Sequence, residues 1–385
     1  MKEAGARRRW DLAGRMAAEG IDLALLTEPD SIFYFAHLWG YLGVENNRPM
    51  LLAVPRAGDP VLICPAIELA MARRMTDVAE IRTWVDGVDG EWPILLEKLL
   101  GKERPRTVGV EMARMPGLVA APVRDALPRA GLVDLAPILG DMRMIKDREE
   151  IQAFRDGGQI AMAMARAAEA VVAPGVPEYE MTLAAVDAGT RKAAELLARD
   201  GTDSLHTPHC GALPIVQSGH DMCLANRRVT GRVLRPGDPI LYCFCEMVRF
   251  RNYRTAFDRQ VFVGSATDEQ ARIYEVAIAA QKAAMAAIRP GVPAEEPHLA
   301  AEEVYRSAGF GASYRIGRSI GCSLVETPEL KRGERMPLRA GMVLGIDGGI
   351  LVPELDFAAR IGDTVLVIEN GIEELTPYPR ELRAL

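Results

Sequence analysis

Residues 236–264 read PGDPILYCFCEMVRFRNYRTAFDRQVFVG, and this stretch decides the fold of the larger part of the chain. A Pro-Gly-Asp turn leads into an apolar run over residues 239–245, and a second run covers residues 254–263. Runs of this length that follow turn residues and contain aromatic and β-branched side chains are typical of strands. We therefore predict two adjacent strands here.

Strand alternation orders the side chains of these two runs, because successive side chains point to opposite faces of a sheet. Cys243 and Cys245 share one face of the first run, and Arg254, Ala256 and Asp258 share one face of the second. If Cys245 and Ala256 face the concave side of a curved sheet, the other three side chains face it as well.

Length and composition indicate a two-domain globular protein. The chain has 385 residues, of which 49% are hydrophobic and 26% are charged, whereas one domain typically takes about 100–200 residues. The net charge of −7 comes from well-mixed signs, which argues against a nucleic-acid partner. No stretch approaches the roughly 20 apolar residues of a membrane span, so we expect a cytoplasmic protein with no membrane partner.

The cysteines give no sign of a structural metal site. Six cysteines are scattered without CxxC spacing, so neither a zinc site nor a disulfide framework is indicated. Most of them are expected to be small buried apolar residues.

Residues 1–140 are predicted to form one α/β domain. The helices expected in it cover residues 7–20 and 118–127, and the strands cover residues 21–26, 50–54, 60–63, 108–111 and 132–135.

Residues 141–385 are predicted to form a second domain of the α+β class. Helical periodicity covers residues 151–172 and 179–198, and a third helix starts at the capping-box sequence of residues 267–270. The first and third helices end in similar Pro-Gly-Val-Pro sequences, which suggests an internal duplication. Strands between and after these helices imply a curved sheet with helices on its outer face.

A series of short blocks gives the chain a resemblance that spans nearly its whole length. The blocks are MRMIK (142–146), VPEYE (176–180), IVQSG (215–219), RPGD (235–238), TAFDR (255–259), LRAGMV (338–343), ENG (369–371) and LTPYP (375–379). In this order and spacing they resemble the creatinase/aminopeptidase P/prolidase superfamily. The resemblance implies a C-terminal pita-bread domain and a smaller N-terminal creatinase-like α/β domain.

The same resemblance implies that the metal site of the family's peptidases is absent. In those enzymes two Asp, one His and two Glu hold two divalent ions that activate a water molecule. The matching positions here carry Cys245, Ala256, Arg318, Asp347 and Gly362. Alanine and glycine supply no ligand, and an arginine repels a cation. We therefore expect no metal and no other cofactor.

Several blocks resemble the metal-independent creatinase-like members more closely than the peptidases. The match departs from creatinase at its catalytic His, which aligns with Asn226, and at its two Glu, which become Asp258 and Asp347. The expected pocket suits a small zwitterion, since carboxylates bind amidinium groups and arginines bind carboxylates.

We assign expected roles to eight residues of this pocket. Asp258, Asp347, His209 and Cys245 are the candidate catalytic residues, and Arg318, Asn226, Arg48 and Arg360 are the candidate substrate-binding residues. For three of the catalytic candidates another interpretation stays open. Cys245 could simply fill space, His209 could be an ordinary loop histidine, and Asp258 could form a surface ion pair with Arg259.

Arg48 belongs to the sequence ENNRP (45–49), which resembles a creatinase loop that reaches the active site of a second subunit. The resemblance therefore implies a homodimer.

The favoured hypothesis is a metal-independent hydrolase of a C–N bond in a small amidino, guanidino or cyclic amidine carboxylate, similar to creatinase and the ectoine hydrolases. One alternative is a non-catalytic member that binds a ligand or partner, and another is a lyase on the same scaffold. An Xaa-Pro metallopeptidase is the least favoured.

Overall fold

The structure is a computed structural model that describes residues 2–39, 48–128, 130–199, 201, 205–211, 214–311 and 313–385. It divides into two compact units, Met1–Met142 and Arg143–Leu385. The helices of the described residues are α1 (Lys2–Ala18), α2 (Pro29–Ala36), α3 (Leu69–Met75), α4 (Glu91–Glu103), α5 (Gly117–Ala126), α6 (Ala136–Met144), α7 (Arg148–Ala170), α8 (Glu178–Arg199), α9 (Asp268–Ala287) and α10 (Glu296–Ser307). None of them is long and apolar enough to cross a membrane.

The strands of the described residues are short and lie in both units. They are β1 (Leu23–Leu26), β2 (Leu51–Pro55), β3 (Val61–Pro65), β4 (Glu80–Trp84), β5 (Thr107–Val110), β6 (Gly131–Asp134), β7 (Ile215–Ser218), β8 (Pro239–Cys243), β9 (Arg249–Phe250), β10 (Tyr253–Arg254), β11 (Asp258–Phe262), β12 (Gly317–Ser319), β13 (Glu326–Leu330), β14 (Val343–Ile346), β15 (Gly349–Val352), β16 (Phe357–Arg360), β17 (Asp363–Ile368) and β18 (Gly371–Glu374).

The first unit is an α/β domain around one mixed sheet. Its strand order is β4-β3-β2-β1-β5-β6, with β1 antiparallel to β2 and parallel to β5. The expected strands all form, within a few residues of their predicted ends. Helix α2 was not predicted; it begins with Pro29, and the carboxylate of Glu28 caps it by accepting a 2.9 Å hydrogen bond from the Ser31 amide.

The second unit confirms the expected α+β pita-bread class. It holds a three-stranded sheet of order β11-β8-β7, a five-stranded sheet of order β13-β12-β14-β17-β18 and the hairpins β9-β10 and β15-β16. Helices α7 and α8 pack against each other, as do α9 and α10. Helix α10 was not predicted, because the clear helical pattern of the sequence ends near Arg289.

The two long strands expected around residues 239–263 are interrupted. Strand β8 ends at Cys243 because the Phe244 carbonyl accepts a 3.0 Å hydrogen bond from the Met247 amide and starts a turn. The intervening β9-β10 hairpin places Arg251 and Asn252 at positive φ, 48° and 70°. Tight hairpins commonly need this backbone conformation.

Strands before residue 264 and strands after residue 300 of this unit are connected at Asp258 and Gly362. The amide of Asp258 donates to the carbonyl of Gly362, the reverse hydrogen bond also forms, and both are 3.1 Å long. Asp258 therefore lies at the junction between β11 and the strands that follow residue 300.

Candidate functional site

A cavity of about 360 Å³ opens in the second unit beside this junction. Five of the eight predicted site residues line it, namely Asn226, Cys245, Arg318, Asp347 and Arg360. A sixth, Asp258, is 0% exposed and contacts Cys245 and Arg360 of this lining. The cavity thus brings together most of the polar residues that the sequence indicated.

Strand register fixes the first set of side chains. Cys243 of β8 pairs directly with Asp258 of β11 in an antiparallel ladder, so both side chains lie on one face. Cys245 follows two residues later and its Sγ lies 3.6 Å from Oδ1 of Asp258. The predicted shared face is therefore present, although β8 itself ends at Cys243.

Arg318 is held in the cavity by β12 and β14. It pairs in register with Gly345, and a Cβ at position 345 would lie 3.6 Å from Nη1 of Arg318 and 2.8 Å from the Cβ of Ala256. The missing side chain leaves room for the guanidinium group. That group donates to Oδ2 of Asp347, and its Nε donates to the carbonyl of Leu324 at 3.1 Å.

Arg360 joins the two carboxylates. Its Nε donates to Oδ2 of Asp258 at 3.0 Å, and its Nη2 lies 3.5 Å from Oδ2 of Asp347. The result is a chain of alternating charge that runs Arg318, Asp347, Arg360, Asp258. Such pairing compensates the cost of removing each charge from water.

The ionisation of these groups follows from this chain. Burial opposes the charged form of Asp347, but Arg318 and then Arg360 hold its pKa below the usual 3.8. Burial likewise opposes the charge on Arg360, yet Asp258 raises its pKa well above the usual value of an arginine. The cavity therefore offers an ionised carboxylate and fixed guanidinium charges at neutral pH.

The Cys243 thiol lacks the lowered pKa of an activated nucleophile. A hydrogen bond with Cys245, then burial, then the charge of Asp258 raise the pKa of Cys243 well above 9.0. Within the described residues no histidine lines the cavity. No imidazole that could deprotonate Cys245 is therefore present in that lining.

Two predicted site residues lie elsewhere. His209 is exposed and does not line the cavity, and its amide donates to Oγ1 of Thr207 at 3.1 Å. Arg48 belongs to the first unit, where it binds Asp86 at 2.8 Å. Residues 45–47 of the predicted loop lie outside the described residues. The roles assigned to His209 and Arg48 remain predictions.

The alternative interpretation of Asp258 as a surface ion pair with Arg259 does not match the structure. Both residues are 0% exposed. The Arg259 guanidinium donates to the backbone carbonyl of Asp258 and forms its ion pair with Asp363 at 2.7 Å. The Asp258 carboxylate therefore interacts with Arg360 and Cys245.

Sequence reasoning missed Arg228 at the same cavity. Its side chain is exposed and donates to the carbonyl of Asn226 at 3.0 Å. It has no carboxylate partner among the described residues. The preceding Arg227 binds Glu178 instead. The two neighbouring arginines thus differ in their partners, and the sequence does not show this difference.

Two family models match the chain. The model of metallopeptidase family M24 matches residues 152–369, and that of the creatinase/prolidase N-terminal domain matches residues 8–145. The chain belongs to metallopeptidase family M24. The resemblance drawn from the short sequence blocks is thereby confirmed.

Several relatives align along almost the whole chain. The agropine synthesis cyclase of Rhizobium rhizogenes is 35% identical over 94% of this chain and 93% of its own length. The creatinase of a Bacillus strain is 28% identical over 98% of this chain and 92% of its own length.

Solved structures share the fold. The dipeptidase PepE of Mycobacterium ulcerans is 28% identical with a TM-score of 0.83, and the match covers 100% of this chain and 98% of PepE. The prolidase of Thermococcus sibiricus is 22% identical with a TM-score of 0.86, and 99% of each chain is covered.

The donor set at the cavity does not fit the two divalent ions that the family name implies. The guanidinium groups of Arg318 and Arg360 contact the carboxylates that would have to face the ions. A Cβ at Gly362 would lie 2.3 Å from Oδ2 of Asp258, so a longer ligand at position 362 would collide with Asp258 as it stands. Fixed positive charge therefore lies next to the carboxylates of this cavity.

Proposed function

We propose that this protein is a metal-independent hydrolase of a C–N bond in a small amidino, guanidino or cyclic amidine compound that carries a carboxylate. The observation that carries the proposal is the chain of Arg318, Asp347, Arg360 and Asp258 at the cavity. It supplies preorganised charge in an enclosed site, and preorganised charge of this kind is often the largest contribution to catalysis.

The two ends of such a substrate match two parts of the cavity. A substrate carboxylate suits the guanidinium of Arg228, which has no carboxylate partner in the described part of the chain and can form two parallel hydrogen bonds. The amidine nitrogens, which are hydrogen-bond donors, suit the ionised Asp347. Arg318 and Arg360 keep Asp347 deprotonated and hold its position.

The proposed step adds water to the amidine carbon and breaks its bond to nitrogen. Asp347 orients the attacking water as a hydrogen-bond acceptor, and the proton that this water loses is transferred to the departing nitrogen. By the measure of other enzymes, loss of one such stabilising group lowers kcat by about 10²–10³-fold.

Ring closure is a second candidate reaction. It is favoured by the 35% identity to a protein named agropine synthesis cyclase. It is also favoured by the apolar part of the cavity lining, which includes Met222, Leu241, Leu324 and Ala358, because a site that limits water suits bond formation within one molecule. In that reaction a group of the substrate itself replaces water as the nucleophile.

The proposal includes a homodimer, in which Arg48 would reach the substrate of the second subunit. In its own chain Arg48 binds Asp86, and the Arg48 side chain keeps 35% of its surface exposed. The support for this part of the proposal is the resemblance of the loop that contains it.

The test uses the full-length protein after treatment with a chelator. Cyclic amidines, guanidino acids and their open-chain products are assayed in both directions in ¹⁸O-labelled water. Label in the product indicates hydrolysis, whereas loss of water from an open-chain substrate indicates ring closure. We expect turnover without added metal.

Variants locate the site. Asp347→Asn should lower kcat by about 10²-fold or more, and Arg228→Ala should mainly raise KM for the carboxylate substrate. The exposed helix residue Arg191, which binds Asp187, provides the control variant Arg191→Ala. Turnover by Asp347→Asn at the wild-type rate would contradict the proposal, as would a wild type that turns over none of these compounds.

A further inference from the structure

Two thiols and one carboxylate converge at the cavity, and the proposed hydrolysis does not use them together as a group. The ligand atoms of Cys243, Cys245 and Asp258 all lie within 4.8 Å of one another. Their convergence follows from the backbone, because Cys243 and Asp258 are directly paired across β8 and β11 and Cys245 lies two residues further along. All three residues are buried.

These distances are close to those of a tetrahedral metal site. With Zn–S bonds of about 2.3 Å and Zn–O bonds of about 2.0 Å, sulfur and oxygen ligands lie about 3.5 Å apart and two sulfurs about 3.8 Å apart. The observed distance from Sγ of Cys245 to Oδ1 of Asp258 is 3.6 Å. The remaining distances require side-chain shifts of about 1 Å or less.

The local charge can also be balanced. Two thiolates and one carboxylate carry three negative charges, of which a divalent ion neutralises two. The third is compensated by the guanidinium of Arg360, whose Nε lies 3.0 Å from Oδ2 of Asp258. Because Cys243 and Cys245 line the cavity, a fourth coordination position would face its interior.

We propose that Cys243, Cys245 and Asp258 form a mononuclear binding site for a thiophilic divalent cation such as Zn²⁺ or Cd²⁺. Thiolate ligands select such ions over Mn²⁺ and Mg²⁺, so this site differs from the dinuclear carboxylate site of the family's peptidases. Binding replaces two thiol protons by one metal ion and releases both protons to solvent. The affinity should therefore increase with pH.

The site goes beyond the proposed function and is expected to oppose it. A bound ion would occupy the part of the cavity beside Arg360 and would exclude the substrate from it. We expect Zn²⁺ to inhibit turnover and a chelator to restore it.

Cobalt titration of the metal-free full-length protein tests the site without reference to activity. Cobalt bound to thiolates shows an intense sulfur-to-cobalt charge-transfer absorption in the near ultraviolet. The exposed group of His220, Asp221 and Asp356, whose ligand atoms also lie within 4.8 Å of one another, contains no sulfur and cannot produce that absorption. We expect the band to saturate at one equivalent of Co²⁺ and to disappear when Zn²⁺ is added.

Variants decide the assignment. Cys243→Ala and Cys245→Ser should each lose the band at one equivalent, while Asp258→Asn should keep it with weaker binding. Cys223→Ala is the matched control, since the Cys223 thiol donates to the Phe357 carbonyl and does not line the cavity. Circular dichroism shows which variants are folded, and either cysteine variant alone suffices for the test.

Absence of the band in the wild type would overturn the proposal, and so would its persistence in a folded Cys243→Ala or Cys245→Ser variant. Neither result bears on metal-free turnover, so the proposed hydrolase function can stand or fall separately.

Discussion

The two halves of the second unit, residues 148–263 and 268–368, share a scaffold. In the first half the Gly175 amide donates to the Leu234 carbonyl at 2.9 Å, and in the second the Gly291 amide donates to the Leu338 carbonyl at 2.8 Å. The two glycines have φ angles of 90° and 87°. The duplication suggested by the repeated Pro-Gly-Val-Pro sequence thus corresponds to repeated backbone geometry.

The halves differ in what stabilises the start of their second helices. The amide of Glu178 donates to the Arg232 carbonyl at 2.8 Å, and at the equivalent place the amide of Ala294 donates to the Met336 carbonyl at 2.9 Å. The Glu178 carboxylate also accepts hydrogen bonds from Arg227, whereas Ala294 has no side chain that could do so. At this position the first half therefore has a buried ion pair between Glu178 and Arg227, whereas Ala294 forms no side-chain hydrogen bond.

The halves also differ in what they contribute to the cavity. The first half supplies Cys243, Cys245 and Asp258, whereas the second supplies Arg318 and Arg360, whose guanidinium groups pair with the carboxylates. Repeated turns preserve the backbone while the side chains at the cavity are free to diverge. A scaffold associated with metal binding can therefore hold a different set of charges.

The largest expected effect comes from breaking a fully buried ion pair between the halves. Arg259 and Asp363 are 0% exposed and lie 2.7 Å apart. Arg259→Ala would leave Asp363 to Arg380, and breaking a buried pair typically costs about 3–5 kcal/mol. Urea unfolding of the variant and the wild type measures this difference.

The control for that measurement is Arg191→Ala, which removes an exposed pair within one helix. Exposed pairs of that kind are screened by water and contribute little to stability. Equal losses in the two variants would show that Arg259 does not hold the halves together.

The next effect tests the polar network of the first half. Burial opposes the ionisation of Glu178, but hydrogen bonds from Arg227, Ser218 and Thr230 lower its pKa from 4.5 to about 2. Its folded pKa is below its unfolded pKa, so the charge stabilises the fold above pH 4.5, and this stabilisation is lost as the pH falls towards 2. Glu178→Gln should lose about 3 kcal/mol at neutral pH.

The matched variant is Glu295→Gln in the second half, where Glu295 binds the exposed Arg335 and the Gly333 amide. It should lose about 1 kcal/mol. A comparable loss in both variants would remove the proposed difference between the halves.

The smallest effect concerns the carboxylate at the cavity. Asp347 has a lowered pKa, so its charge stabilises the fold above pH 3.8 and this contribution disappears as the pH falls further. Arg318→Gln should raise the pKa of Asp347, so that this stabilisation is lost at a higher pH. Each unit by which the pKa rises reduces the free energy of unfolding by about 1.4 kcal/mol. Melting temperatures between about pH 4 and pH 6 detect the shift.

The Asp347→Asn background provides the control for this effect. There Arg318→Gln should add no pH dependence, because the titrating group is gone. A pH-dependent difference that remains in this background would assign the effect to another group.

The sequence predicted the fold well because turns and periodicity are local. Gly175, Gly291 and the capping box at Thr267 mark the helices of the second unit. The interruption after Cys243 was missed because the β9-β10 hairpin carries no Asn-Gly or Asp-Gly signal. Positive φ at Arg251 and Asn252 is set by the surrounding structure.

The sequence predicted the members of the site better than their partners. Strand alternation and the family blocks predicted Asp258, Asp347, Arg318 and Arg360 as site residues. The last three line the cavity, and Asp258 contacts Arg360. The pairing of each arginine with a carboxylate depends on distances between strands that are far apart in sequence, and so does the availability of Arg228. Such distances cannot be read from spacing along the chain.

We propose that the guanidinium groups of Arg318 and Arg360, which contact Asp347 and Asp258, have replaced the metal pair of this family. The most direct test of this proposal is equilibrium dialysis of the metal-free protein against Mn²⁺, which prefers oxygen and nitrogen ligands over thiolates, combined with an Xaa-Pro dipeptide assay. We predict no tightly bound Mn²⁺ and no cleavage of the dipeptide. Two bound equivalents together with dipeptide cleavage would contradict the account.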